Sequence, residues 1–170
     1  MTGQKVLVVD DETDFANGLA RLISSDFPEL AVSVAYSGPE ALRAMDTSAP
    51  DLLLLDLNMP GMHGFDVMHA ALEKHPNLSV VVLTAYGTVE TAVAALKKGA
   101  WDFLTKPVGN EELQRAVAKG CERSFLLGEN SRLKLLAARS GSGNALIGDS
   151  EVMRRLRETI AAVAAAEYTV

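Results

Sequence analysis

Three short runs in this chain are apolar without interruption: Val6–Val9, Leu52–Leu55 and Val80–Leu83. A strand with one wet face alternates apolar and polar residues, whereas a strand covered on both faces does not. The three runs therefore read as central strands of a parallel sheet with helices on both sides. Ala31–Tyr36 alternates in part, as an edge strand does, and the mixed segment Trp101–Thr105 reads as a fifth strand at the other edge.

Helical patterns lie between the strands. Thr13–Ser25 carries Phe15, Leu19, Leu22 and Ile23, and Pro39 opens a helix that buries Ala41, Leu42 and Met45. Gly64–His75 carries Phe65, Val67, Met68 and Leu72. Thr88 is placed to cap a helix through Ala92, Val93 and Leu96, closed by Lys97, Lys98 and Gly99, and Asn110 to cap a last one with Glu111 and Glu112 in its first turn. The order βαβαβαβαβα predicts a doubly wound α/β sandwich with right-handed crossovers. With the mixed strands at the edges, the strand order is 2-1-3-4-5, the flavodoxin-like arrangement.

The last helix pattern continues to about Ala138, where Ser140-Gly141-Ser142-Gly143 breaks it with linker composition. A chain of 170 residues has room for one domain and an appendage. The expected organisation is a domain over 1–123, a linker helix and flexible linker over 124–145, and the cut start of a second domain over 146–170, too short to bury a core of its own. Apolar residues make up 48% and charged residues 22%, which suits a globular chain rather than a disordered one. The net charge of -6 argues against nucleic acid or an anionic membrane as a partner of these residues; the densest basic cluster, Arg154, Arg155 and Arg157, reads as helix-surface charge. One cysteine, Cys121, excludes an internal disulfide and reads as a packing thiol. With no signal-peptide layout and no long apolar run, a cytoplasmic location is expected.

The polar residues that follow the strands carry the chemistry. Asp10 and Asp11 follow the first strand, Asp56 ends the third, Thr84 ends the fourth and Lys106 follows the fifth. Ligands of open α/β sheets bind at these carboxyl ends, and strands one and three are neighbours across the switch point, so three carboxylates converge on one crevice. Each residue has a plainer reading alone: a turn and cap for Asp10-Asp11, a solvated loop for Asp56, a strand terminus for Thr84, a surface turn for Lys106-Pro107. The conjunction decides. Converging carboxylates repel one another and suit a hard divalent cation such as Mg²⁺; a lysine and a threonine beside them complete a phosphoryl-transfer site with a carboxylate nucleophile. His63, His69 and His75, six apart, do not share a helix face and are not expected to hold a metal, and Met59 and Met62 flank a turn as packing residues.

Val8-Val9-Asp10-Asp11-Glu12, Leu54–Gly64 with its Asp56-Leu57-Asn58-Met59-Pro60 core, Leu83-Thr84-Ala85-Tyr86-Gly87 and Phe103-Leu104-Thr105-Lys106-Pro107 together resemble the receiver domain of two-component response regulators, a CheY-like fold, over about residues 4–123. The resemblance implies that Asp56 accepts a phosphoryl group from a phosphohistidine on a sensor histidine kinase. It implies that Asp11, Asp56 and the backbone carbonyl of Asn58 bind Mg²⁺, with Asp10 assisting through water, and that Thr84 and Lys106 contact the phosphoryl oxygens. Phe103 stands at the family's switch aromatic, Asn58 and Tyr86 at positions that tune dephosphorylation, and Lys106-Pro107 at a bond that is usually cis. Such a module is no enzyme beyond catalysing its own phosphorylation and dephosphorylation.

Gly87, Ala100–Pro107 and Leu146–Met153 are most similar to the sigma-54-dependent transcriptional activators of the NtrC/DctD type. This implies that 146–170 opens an AAA+ domain, and that DNA and sigma-54 RNA polymerase are reached only through domains this chain lacks, since it has no Gly-x-x-x-x-Gly-Lys-Ser/Thr. It also implies a homodimer through the linker helix and the face of the fourth helix, fifth strand and fifth helix; Leu126, Leu133 and Leu136 fit one heptad register that Lys119, Glu122 and Glu129 interrupt. Two rival readings stand beside this one: a haloacid-dehalogenase-type phosphatase and a passive flavodoxin-like module. The phosphatase needs its nucleophile on the first strand and an acid two residues on, where Asn58 stands after Asp56 and cannot act as acid or base.

Overall fold

The computed structural model describes residues 3–85 and 89–140. The uninterrupted apolar runs become the inner strands β1 (Lys5–Val9), β3 (Leu52–Asp56) and β4 (Ser79–Thr84); β2 (Ala31–Ala35) and β5 (Asp102–Thr105) are the edges. All pairings are parallel and the order is β2-β1-β3-β4-β5, as the pattern predicts. Every residue of β3 and β4 is buried, while β2 alternates.

Successive strand side chains point to opposite faces, so each apolar run splits between two cores. Leu7, Val9, Leu53, Leu55, Val80 and Val82 pack against α2 (Gly38–Thr47), α3 (Gly64–Lys74) and Ala95 of α4 (Val89–Lys97). Val6, Val8, Leu52, Leu54, Val81 and Leu83 pack against α1 (Thr13–Asp26) and α5 (Asn110–Ser140). A fully buried leucine or valine contributes roughly 1.5–3 kcal/mol, so the central strands anchor the sandwich.

The helix ends follow local chemistry. Ser37 Oγ accepts from Glu40 N, and Glu40 Oε2 accepts from Tyr36 N at 2.8 Å, a reciprocal cap around Pro39. Gly99 closes α4 with φ +107°, its N–H donating to Leu96 O and that of Ala100 to Ala95 O. Gly120 lets α5 approach the sheet: a Cβ there would lie 2.7 Å from Leu52 Cδ1. A Cβ on Gly128 would meet nothing within 4 Å beyond its own helix, so that glycine only weakens the helix.

Some expectations shift. Asn110 is the first helical residue rather than the cap; Leu113 N donates to Gly109 O, which puts the cap one residue earlier. The fifth strand starts at Asp102, and Trp101 donates its N–H to Val80 O while its ring stays exposed. Leu22, grouped with the buried face of α1, is exposed. Cys121 lies fully buried beside Val117, and burial pushes its thiol up to about 11, as suits packing rather than reactivity.

Helix α5 has 31 residues, about 46 Å at 1.5 Å per residue. The chain divides into two units, Met1–Asn130, which holds the sheet, and Ser131–Val170, described only to residue 140. Phe125 and Leu126 in the first unit, and Leu133, Leu135 and Leu136 in the second, are exposed. The Thr88 cap, Tyr86, the glycine linker and the segment 146–170 lie outside the described residues. No helix among the described residues is long and apolar enough to cross a membrane.

Candidate functional site

Parallel register brings the strand ends together. Val9 of β1 pairs with Leu55 of β3, and Asp56 pairs with Leu83 of β4, so Asp10, Asp56 and Thr84 emerge side by side. Lys106 joins them because its N–H donates to Thr84 O at 2.9 Å. Asp10, Asp56 and Thr84 are buried. Asp10, Asp11 and Asp56 each offer a carboxylate oxygen, and these atoms all lie within 4.8 Å of one another.

Lys106 is the hub. Its Nζ lies 2.7 Å from Asp10 Oδ2, 3.2 Å from Asp56 Oδ2 and 3.3 Å from Glu12 Oε1. The other carboxylate oxygens are held by backbone: Asp10 Oδ1 accepts from Glu12 N at 3.0 Å, and Asp56 Oδ1 accepts from Asn58 N at 3.2 Å. Burial raises the Asp10 carboxyl above its ordinary value, helped by the charge of Asp56 and opposed by the contacts with Lys106 and Glu12 N. Burial works against the Lys106 ammonium, but the contact with Asp10 and the charge of Asp56 outweigh it and raise its pKa. The expected mutual repulsion is therefore present at Asp10, where it adds to burial.

The loop after β3 is tightly drawn. Gly61 turns the chain at φ +85°, and Gly64 N donates to Leu57 O at 3.1 Å. A Cβ on Gly64 would lie 2.4 Å from Asp56 O, so only glycine lets α3 begin this close to the end of β3. His63 caps α3, its Nδ1 accepting from Phe65 N at 3.2 Å with the two rings stacked. Beside the acidic cluster a cavity of about 270 Å³ is lined by Leu57, Asn58, His63, Phe65, Thr84 and Thr91.

Every sequence-derived site residue except Tyr86, which lies outside the described residues, has a place. Asp10, Asp11, Asp56 and Lys106 converge, Thr84 and Asn58 border the cavity beside them, and Phe103 lies half-buried against the core on the α2–α3 face. The Lys106–Pro107 bond is cis. Asp56 closes the third strand with Asn58 two residues on, which is not the phosphatase layout. Among the described residues, the only cluster of three or more metal-ligating side chains is the acidic one, and the histidines add none. Three residues escaped the sequence reading: Glu12, exposed yet paired with Lys106; Phe15, whose ring centroid lies 4.5 Å from Lys106 Nζ; and the cap at His63. Glu12 follows the strand-end acid pair, but its position alone does not show that its side chain reaches Lys106. Phe15 fits the apolar period of α1, which hid its second contact.

The model of the response regulator receiver domain family matches residues 6–118. The response regulator protein PilR of Pseudomonas aeruginosa is 35% identical over 170 residues, covering all of this chain and 36% of PilR. The crystal structure of NtrX from Brucella abortus in complex with ATP aligns at TM-score 0.70 and 33% identity, over 94% of this chain and 34% of that one. The signal receiver domain of a LuxO repressor protein from Vibrio parahaemolyticus aligns at TM-score 0.69 and 32% identity, over 74% of this chain and 95% of that one. The chain spans 30% to 37% of the length of the curated relatives it matches. These relatives are response regulators of the sigma-54 activator type. The chain belongs to the response regulator receiver domain family, the receiving modules of two-component phosphorelays.

Proposed function

We propose that this chain accepts a phosphoryl group on Asp56 and converts it into a change of surface. The observation that carries this reading is the acceptor's geometry: Asp56 Oδ1 is held by Asn58 N at 3.2 Å, and Oδ2 faces the Lys106 ammonium at 3.2 Å. A carboxylate oxygen of Asp56 attacks phosphorus as the P–N bond to the kinase histidine breaks; the electron pair of that bond stays on the imidazole nitrogen, which takes a proton from solvent. The clustered hard oxygens of Asp10, Asp11 and Asp56 fit Mg²⁺. Asp11, Asp56 and the Asn58 carbonyl would hold it, with Asp10 acting through water. Bound there, the ion supplies positive charge to the transferring phosphoryl oxygens.

The chain's own residues do the rest. Lys106, its side chain only 12% exposed, neutralises phosphoryl charge, and the buried Thr84 offers its hydroxyl to a phosphoryl oxygen. Phosphorylation adds about -1.5 to -2 of charge, and the contacts it gains favour one of two pre-existing states. Movement of Thr84 towards the phosphoryl group lets Phe103 turn further in, which alters the face of α4, β5 and α5. Tyr86 and Asn58 tune the approach of water.

In this reading residues 1–123 are the receiver, 124–145 the linker and 146–170 the start of an AAA+ domain. The donor is a sensor histidine kinase, the setting is the cytoplasm, and DNA and sigma-54 RNA polymerase are met through further domains. The exposed leucines of α5 and the exposed Val93, Leu96 and Trp101 support a homodimer through the linker helix and the α4–β5–α5 face. Incubation with Mg²⁺ and acetyl phosphate tests the function. One acyl phosphate per chain is expected; continuous turnover without a stable adduct points to a phosphatase, and no adduct overturns the reading.

A further inference from the structure

Resting on that reading, we propose that Phe15 is a positioning residue for phosphoryl uptake: its ring face holds the Lys106 ammonium in place while the ammonium exchanges carboxylate partners for phosphoryl oxygens.

An ammonium has three N–H donors. Around Lys106 stand three carboxylates, on Asp10, Asp56 and Glu12, at 2.7, 3.2 and 3.3 Å. The ring centroid of Phe15 lies 4.5 Å from the same nitrogen, and the lysine side chain is only 12% exposed. The ring has a support of its own: Phe15 sits in the first turn of α1, half-buried against the core formed by α1, α5 and the sheet.

Acylation of Asp56 removes one of the carboxylate charges that hold the ammonium, and the new acceptors lie on the phosphoryl group. The N–H groups must therefore be re-aimed. Hydrogen bonds and ion pairs are lost and remade in that exchange. Attraction between a cation and a ring face depends on the charge and not on which acceptor each N–H serves, so it persists throughout. The Lys106 side chain is only 12% exposed, and a largely desolvated cation is held more strongly by a ring face than an exposed one. Glu12 is exposed and cannot hold the lysine as firmly.

A plain packing role for Phe15 makes a different prediction, and the ring's electrons separate the two. Fluorinating the ring drains its negative face while nearly preserving its shape. The experiment measures the affinity of the full chain for beryllofluoride with Mg²⁺ by titration calorimetry. The series has Phe15 as phenylalanine and as its mono-, di- and trifluorinated analogues, with Phe15→Tyr and Phe15→Leu beside it, and urea unfolding of each variant run in parallel. Affinity should fall stepwise with each fluorine at an unchanged unfolding midpoint, stay near the parent in Phe15→Tyr, and fall about 5- to 30-fold in Phe15→Leu, the equivalent of ~1–2 kcal/mol. A flat fluorinated series in a parent that binds normally overturns the positioning role alone. A parent that takes up no beryllofluoride overturns the phosphoryl-accepting reading and this inference with it.

Discussion

Substituting Gly64 by alanine tests how tightly β3 and α3 are joined. The added Cβ would stand 2.4 Å from Asp56 O and 2.7 Å from Leu57 Cα. Unstrained contacts between heavy atoms lie near 3.5 Å, so the fit is short by about 1 Å. Both obstructing atoms are backbone, and no side-chain rotation relieves the overlap. Either α3 retreats or the end of β3 bends, and the second outcome moves the Asp56 carboxylate away from Lys106. Overpacking of this kind costs about 1–3 kcal/mol, and the modest helix-propensity gain of alanine at the first turn does not offset it. Gly128→Ala is the internal control. Nothing lies within 4 Å of a Cβ there, and the same exchange should stabilise by about 0.5–1 kcal/mol. Urea unfolding of both variants, with acetyl phosphate labelling of Gly64→Ala, reads out stability and acceptor geometry together. Gly64→Ala as stable as the parent and labelled at the parental rate would refute the reasoning.

Lys106 predicts a pH dependence. Its folded pKa lies above 10.5, so its stabilisation is complete below 10.5 and disappears as pH rises through the higher folded value. Urea midpoints of the parent should decline on that alkaline limb, and those of Lys106→Met should be lower and lack this decline. Asp10 has the opposite sign: its folded pKa is raised above 3.8, so its ionised form costs stability, and that cost is relieved as pH falls through the folded value. Asp11→Ala removes one charged oxygen from the acidic cluster and should weaken Mg²⁺ binding roughly tenfold or more, read by calorimetry. The exposed leucines of α5 predict self-association: sedimentation equilibrium should find dimers of the full chain at about 100 μM but monomers of a chain ending near Cys121. Monomers of both, with and without beryllofluoride, would remove the linker dimer.

The sheet was legible because burial on two faces leaves a direct trace: four consecutive leucines at Leu52–Leu55 can satisfy two cores only as a central strand. The edges were legible for the converse reason, in the half-polar Ala31–Ala35 and Asp102–Thr105. The acidic cluster followed from topology, since parallel neighbours deliver their terminal residues to one edge. Contacts that depend on side-chain reach were not legible. Glu12 is a solvent-facing acid by position, yet its length brings it to Lys106. Phe15 serves the core and the lysine at once, and periodicity reports only the first. His63 caps a helix with a ring nitrogen, an uncommon acceptor for that position. Leu22 fits the apolar period of α1 but falls on its rim, where the sheet no longer covers it.

Reduction of the labelled protein with borohydride, followed by peptide mass spectrometry, tests the central claim most directly, because an acyl phosphate is reduced to an alcohol at the residue that carried it. After treatment with acetyl phosphate and Mg²⁺, the account predicts reduction at Asp56, and no labelling of Asp56→Asn. Reduction at Asp10 or Asp11 in place of Asp56, or undiminished labelling of Asp56→Asn, would contradict it.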